Sequence, residues 1–343
     1  MGQTKTRCLV TGSTGYLGTV LVKTLYDAGY NVTSLALPGE NTAFVALYSE
    51  TRFADVCDAE ALERAATGFD VVIHLAGIVD IGTRGRALMR RVNVGGTRNV
   101  AELCLKHHMK MIYCSSVHAI PCLPKTETMT EAADFDPDRI EGLYGKTKAE
   151  ATRLVLEMAG RGLDAMIAFP SGIIGPSERR VSNIGQMIVE FLCGGLRAYT
   201  DGGYNFVDVR DVANGICGMI SHGESGGRYI LSGSEISVAQ MLSLVAKASG
   251  RKMLRVRLPY WFVMGTSYFS EFYYFLARKK PLFTHYSVQT LHSNCRFSNR
   301  KARETIGFSP RPIQESLSEM TQWMMTHFVR KAGRKYKPCL YKE

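Results

Sequence analysis

The chain has 343 residues, 45% hydrophobic and 21% charged, a globular balance that excludes a disordered or low-complexity protein and leaves room for one large domain or two unequal ones. Its formal net charge of +11 invites a nucleic-acid reading, but Lys and Arg are spread along the chain apart from the terminal group Arg330, Lys331, Arg334, Lys335 and Lys337. The clustered basic face that a nucleic acid needs is therefore not indicated, and no nucleic-acid partner is expected.

The amino terminus, Met1 to Arg7, is polar, with no signal region, and the loose match of Gly2 and Thr6 to a myristoylation pattern is read as chance because the first strand begins at once. Apolar runs predict strands at 7–11, 31–36, 52–54, 71–75, 109–115 and 165–168. Periodic stretches between them predict helices at 16–28, 59–66, 86–107 and 143–161. Strand and helix in alternation imply parallel strands joined by crossover helices, with both sheet faces covered, so the fold class is α/β with a doubly wound parallel sheet. The predicted division is a dinucleotide-binding domain over 1–170, to which some later segments return, a smaller α/β substrate domain over 171–330 laid on the sheet's carboxyl edge, and a basic tail over 331–343. Nine cysteines, odd in number and without a CxxC, several of them in apolar runs, predict free thiols in a reducing, cytoplasmic compartment.

Segment 258–277 carries nine aromatic residues and a single charge, Glu271. Its length would span a bilayer, but Pro259, Gly265, Thr266, Ser267, Ser270 and Glu271 dilute it. A helix packed on the substrate side is expected. An interfacial helix in peripheral membrane contact is the second reading, helped by Arg278, Lys279 and Lys280.

Three motifs carry chemistry. Thr11-Gly12-Ser13-Thr14-Gly15-Tyr16-Leu17-Gly18 joins the first strand to the first helix. Its glycines permit a tight turn and close backbone approach to a pyrophosphate, which the helix N-terminus attracts. Tyr144 and Lys148 stand at i and i+4, on one helix face. A phenol titrating near about 10 becomes a usable base when an ammonium and a nicotinamide cation lie beside it. Ser116 follows the fifth strand, at the carboxyl edge where open α/β sheets bind ligands, and its hydroxyl can bond a substrate oxygen. The histidines and acids show no metal-ligand spacing, so no metal is expected. His118, a lone loop histidine, stays outside the expected catalytic set.

In order along the chain, the glycine loop, Asp55-Val56, His74-Leu75-Ala76-Gly77, Asn93-Val94-Gly95-Gly96-Thr97, Ser115-Ser116 and Tyr144/Lys148 resemble the extended short-chain dehydrogenase/reductase superfamily of NAD-dependent epimerases and dehydratases, with its Rossmann domain. The resemblance implies a coenzyme, NAD or NADP, bound by Gly12, Thr14, Gly15, Tyr16, Leu17, Gly18, Asp55, Val56, Leu75, Ala76, Gly77, Asn93, Tyr144, Lys148, Pro170 and Ile173. Asp55 would take the adenine amino group, Val56 would flank the ring and Lys148 would hold the nicotinamide ribose. Ser116, Tyr144 and Lys148 would be catalytic. It also implies a homodimer paired through helices 86–107 and 143–161.

Departures narrow the branch. Val117-His118 stands where dehydratases carry an Asp-Glu pair, Tyr204 stands where nucleotide-sugar members place a diphosphate-binding arginine, and Ser171 replaces an asparagine. The aromatic segment, Lys280-Pro281-Leu282-Phe283, Phe297-Ser298-Asn299-Arg300-Lys301-Ala302 and Gly307-Phe308-Ser309-Pro310 resemble the 3β-hydroxysteroid dehydrogenase and dihydroflavonol reductase branch. The expected function is thus oxidation of a secondary alcohol, or reduction of the ketone, on a hydrophobic, steroid-like small molecule. A sugar-nucleotide epimerase and a non-catalytic NAD(P)-binding sensor are the alternatives. Ala36-Leu37-Pro38-Gly39-Glu40 offers neither the acid nor the arginine at the positions that usually select the coenzyme, and Glu40 reaches the ribose only if its loop folds inward.

Overall fold

Along each apolar run of the first half, side chains alternate between two faces, and both faces are covered. Cys8 and Val10 pack with Leu21, Val22 and Ile216 on one side, whereas Leu9 packs with Val72, Val100 and Val155 on the other. This two-sided burial is why the runs read as continuous rather than alternating. The structure is a computed structural model and describes residues 5–79, 85–132, 134–266, 285–332 and 335–339.

The strands, in chain order, are β1 (Arg7–Thr11), β2 (Asn31–Ala36), β3 (Glu50–Phe53), β4 (Val71–His74), β5 (Lys110–Cys114), β6 (Ala165–Pro170), β7 (Gly172–Ile174), β8 (Ala198–Thr200), β9 (Gly203–Asp208), β10 (Arg228–Leu231), β11 (Ser234–Ser237), β12 (Val256–Leu258), β13 (Val329–Ala332) and β14 (Lys335–Pro338). Seven form one sheet in the order β10-β6-β5-β4-β1-β2-β3, each neighbouring pair parallel. The doubly wound α/β fold expected from the sequence is the fold observed. Strand order reverses at β1 and β4, and a crevice opens beyond their carboxyl ends.

The helices α1 (Tyr16–Asp27), α2 (Ala59–Ala66), α3 (Arg86–Arg90), α4 (Thr97–Lys106), α5 (Leu143–Ala159), α6 (Asn183–Cys193), α7 (Val209–His222) and α8 (Val238–Ser249) flank the sheets. The α1 and α7 helices cover one face of the large sheet, and α2, α4 and α5 the other. A second sheet, β11-β9-β7, packs with α6, α8 and helix Ile313–His327.

The helix expected over 86–107 is interrupted by a wide π-helical turn, Arg91–Gly96, between α3 and α4. Asn93, inside that turn, accepts from the Ile78 amide at 2.7 Å and donates to the Ile78 carbonyl at 3.0 Å, so the helix bends to follow the strand-end loop it holds. Widened turns of this kind recur at functional sites. A Cβ on Gly96 would sit 2.7 Å from Val56 Cγ2, so the glycine lets the turn press on Val56.

The basic C-terminal end is paired, β13 running antiparallel to β14 with Arg330 opposite Lys337. Within the aromatic segment, residues 260–266 are helical and Trp261 is 73% exposed. Residues 267–277 lie outside the described residues, as do Gly2 and the basic run 278–280. Among the described residues no helix is long and apolar enough to cross a membrane.

Candidate active site

The turn after β1 is built by glycine. Gly12 has φ +66°, and a Cβ there would lie 2.7 Å from the Ala76 amide nitrogen. A Cβ on Gly18 would lie 2.2 Å from the Gly12 carbonyl oxygen. The first glycine therefore lets the loop pass against the end of β4, and the last lets α1 seat on the loop. Gly15 caps α1 in an extended conformation without a side-chain bond, leaving the helix N-terminus open to an anion.

Below the crevice, His74 joins the two strands. Its Nδ1 is 2.8 Å from Thr11 Oγ1 and its Nε2 is 3.0 Å from Thr97 Oγ1. The Thr97 hydroxyl donates to the Asn93 carbonyl at 2.7 Å, and the Ala76 amide donates to Thr11 Oγ1 at 3.2 Å. With the Thr97 proton spent on Asn93, Thr97 can only accept from the ring while the Thr11 proton remains to be donated to it, so only the Nε2–H tautomer satisfies every group.

A cavity of about 410 Å³ lies over the switch point, lined by Gly12, Thr14, Gly15, Asp55, Val56, Leu75, Ala76 and Gly77 among others. Gly77 keeps its floor open, because a Cβ there would fall 3.2 Å from Asn93 Oδ1 and 3.6 Å from Lys148 Nζ. Three residues whose place in it the sequence did not settle also line this cavity: Glu40, Arg91 and Arg180. The Glu40 carboxylate accepts from the Thr14 hydroxyl at 2.6 Å and from the Leu37 amide at 3.3 Å, so its loop does fold inward. Tyr16 lines a neighbouring cavity with Arg179 and Arg180, and its hydroxyl donates to the Gly175 carbonyl at 2.6 Å. Leu17 and Ile173 pack into the core beside α1 and α7. Pro170 ends β6 and, like Gly18 and Asn93, supports the crevice from outside its lining.

Tyr144 and Lys148 lie one turn apart in α5. The Lys148 ammonium is buried, 4% exposed. It donates to the Cys114 carbonyl at 2.8 Å and lies 5.0 Å above the Tyr113 ring. Burial holds its pKa below the usual lysine value, and it makes no ion pair among the described residues. Burial holds the Tyr144 phenol above its ordinary value, while hydrogen bonding to Ser116 pulls the other way. The two serines after β5 divide. Ser115 bonds Thr152 at 2.7 Å, facing α5, whereas Ser116 Oγ accepts from the His118 amide at 3.2 Å and stands beside Tyr144.

His118 is the residue the sequence reading set aside. Its Nε2 is 3.1 Å from the Tyr204 hydroxyl and its Nδ1 is 3.1 Å from that of Tyr286. Its ring stacks on Tyr204 at 5.6 Å and meets Tyr144 edge-on at 5.9 Å between centroids. Burial pushes its pKa down to about 4, which keeps the ring neutral. On the far side opens a second cavity of about 220 Å³, whose described lining includes Ile184, Met187, Phe206, Ile236, Val238 and Met241.

Residues 8–232 match the NAD dependent epimerase/dehydratase family. The chain belongs to this family. As a member of it, the protein is an NAD(P)-dependent enzyme, and the glycine cradle and the crevice at β1 and β4 fit such a coenzyme. Among curated proteins it is similar to sterol demethylase protein B of Methylococcus capsulatus, 28% identical, covering 92% of this chain and 97% of that one. It is similar also to a 3 beta-hydroxysteroid dehydrogenase/Delta 5→4-isomerase of Mycobacterium tuberculosis, 26% identical over 94% of this chain and 91% of the other. Among solved structures it resembles gox2253, with a TM-score of 0.82 and 28% identity, covering 93% of this chain and 98% of that one. Among the described residues no group of three or more His, Cys, Asp or Glu could hold a metal ion.

Proposed function

We propose that the enzyme interconverts a secondary alcohol and a ketone on a hydrophobic, steroid-like substrate, with Ser116, Tyr144 and Lys148 as its catalytic residues. The observation that carries this reading is the cavity beyond His118. Its described lining is largely apolar and includes no Lys or Arg, and Tyr204 occupies a place on its wall. A nucleotide-sugar diphosphate needs cationic partners, whereas a polycyclic alcohol needs apolar and aromatic walls.

Bound in the crevice of β1 and β4, the coenzyme supplies the hydride acceptor for oxidation and the donor for reduction. In the oxidative direction Tyr144, as phenolate, takes the hydroxyl proton. The carbinol C–H bond breaks with its electron pair leaving as hydride, and the oxygen's freed pair closes the C=O bond. Reduction runs the same steps backwards, with Tyr144 returning its proton to the oxygen. The His118 amide holds Ser116 Oγ beside Tyr144, where its hydroxyl can donate to the substrate oxygen when substrate is bound. The buried Lys148 charge favours the phenolate, offsetting the burial that opposes it. The same reading pairs two copies through the helical stretches 86–107 and 143–161 in a homodimer.

The test is coenzyme absorbance with NAD⁺ and NADP⁺ against 3β-hydroxysteroids, flavonoid-type alcohols and UDP-sugars. A steroid should turn over, and Tyr144→Phe should lower kcat by roughly 10²–10⁴ while coenzyme still binds. A UDP-sugar isomerised without net coenzyme turnover would overturn the reading in favour of an epimerase.

A further inference from the structure

We infer that His118, Tyr204 and Tyr286 form a second recognition point in the substrate cavity, which donates a hydrogen bond to an acceptor oxygen on the substrate other than the reacting one. The inference rests on the proposed reading of that cavity as the substrate site, and it names a class within it: hydrophobic alcohols or ketones with another oxygen at the reacting end.

The argument is a count of protons. A neutral imidazole has one N–H donor and one acceptor nitrogen. Each nitrogen of His118 faces one phenol oxygen at 3.1 Å. One tyrosine must therefore donate to the ring and the other must accept from it. The tyrosine that accepts keeps its own proton, and nothing in the triad takes it. With Nδ1 protonated, Tyr286 is the acceptor and the Thr290 side chain beside it is a partner for its proton; with Nε2 protonated, Tyr204 is the acceptor and its proton is the unspent donor. Burial keeps Tyr204 protonated by raising its pKa, and the residue is only 7% exposed. A buried donor left without a partner carries an uncompensated desolvation cost, which a ligand oxygen would recover.

The position of this donor decides what it reads. His118, Tyr204 and Tyr286 all line the apolar cavity, and all three also line a further cavity of about 400 Å³ on their other side. They form the wall between the two. That wall meets the proposed catalytic tyrosine, with the His118 and Tyr144 rings 5.9 Å apart, so the second oxygen belongs near the reacting carbon rather than at the far end of the molecule.

The chain makes specific room for this arrangement. Gly142 and Gly145 bracket Tyr144 at the start of α5. A Cβ on Gly142 would come within 2.3 Å of the Tyr286 ring, and one on Gly145 within 2.8 Å of the His118 carbonyl oxygen. Gly142 also has φ +75°. Glycine at both positions lets the proposed proton-transfer residue and the triad approach each other.

The experiment compares 2-decalol with derivatives carrying a second hydroxyl or a keto group one to three bonds from the carbinol carbon, by calorimetric binding to the coenzyme-loaded enzyme and by kcat and KM. At least one oxygenated derivative should bind about tenfold tighter than 2-decalol, the size of one hydrogen bond to an otherwise unpaired donor. Tyr204→Phe or Tyr286→Phe should bring that ratio close to one, with the loss in KM rather than kcat. Both ligands share the cavity, so a merely structural disturbance would weaken both and leave their ratio intact. A wild-type ratio near one for every derivative, or a ratio unchanged in both variants, overturns the inference. If the ratio behaves as expected in binding but no alcohol is oxidised, the inference is supported and the alcohol-dehydrogenase reading fails, so the two failures are distinct.

Discussion

The Nδ1 of His74 lies 2.8 Å from the hydroxyl of Thr11, tying the ends of the two strands between which the sheet reverses its order. His74 is fully buried, and burial, reinforced by the nearby Lys148 charge, pushes its pKa down to about 3. The folded value is thus far below the unfolded one near about 6.5. The contribution is fully present above that unfolded pKa. As pH falls, the unfolded chain takes a proton that the folded chain refuses, and stability is lost at roughly 1 kcal/mol per pH unit toward the folded pKa. His118, pushed down to about 4, acts in the same direction. Urea midpoints should therefore fall between pH 6.5 and 5, and His74→Asn should have a shallower dependence over that window. Equal slopes in wild type and variant would show that His74 is protonated in the folded protein.

Two glycines near the crevice should respond oppositely to alanine. At Gly18 the added methyl would lie 2.2 Å from the Gly12 carbonyl oxygen and 2.7 Å from Ser13 backbone atoms, so α1 must lift off the loop. Gly18→Ala should weaken coenzyme binding by at least tenfold and lower the Tm. Gly95, inside the helical turn Arg91–Gly96, meets nothing within 4 Å. Gly95→Ala should leave coenzyme affinity unchanged and be neutral to stabilising, by up to about 1 kcal/mol. Coenzyme titration and thermal unfolding of the two variants check this, and unchanged affinity in Gly18→Ala would show that the loop does not depend on that close seat.

The elements that position the crevice were legible because their signals are local. Strand β1 is an apolar run, the glycine loop follows it without a gap, and Tyr144 and Lys148 share a helix face by spacing alone. Features that depend on distant partners were not. The bend at Arg91–Gly96 comes from Asn93 gripping Ile78, a tertiary bond in a stretch whose own periodicity reads as plain helix. Strand β10 lies alongside β6 at the edge of the large sheet, although nothing in Arg228–Leu231 says which sheet it joins. His118 reads as an ordinary loop histidine because its meaning comes from Tyr204 and Tyr286, 86 and 168 residues away in the chain. Their aromatic character was visible, but their convergence was not.

Coenzyme choice should follow Glu40. Its carboxylate is oriented by the Thr14 hydroxyl and the Leu37 amide and lines the crevice, where it can accept from ribose hydroxyls. Leu37, just past β2, supplies no cation there. A 2′-phosphate would bring anionic oxygens up to this carboxylate, a repulsion of several kcal/mol at about 4 Å in a half-solvated setting, reduced by Arg91 and Arg180, which line the same cavity. On this balance kcat/KM for NAD⁺ should exceed that for NADP⁺ by at least tenfold, equivalent to about 1.4 kcal/mol. Glu40→Gln keeps a side chain of the same shape and removes the repulsion, so it should narrow the ratio several-fold, mainly by improving NADP⁺. Steady-state kinetics with both coenzymes decides the point. If wild type uses NADP⁺ equally well or better, Arg91 and Arg180 outweigh Glu40, and Arg180→Ala should then be the variant that loses the phosphorylated coenzyme.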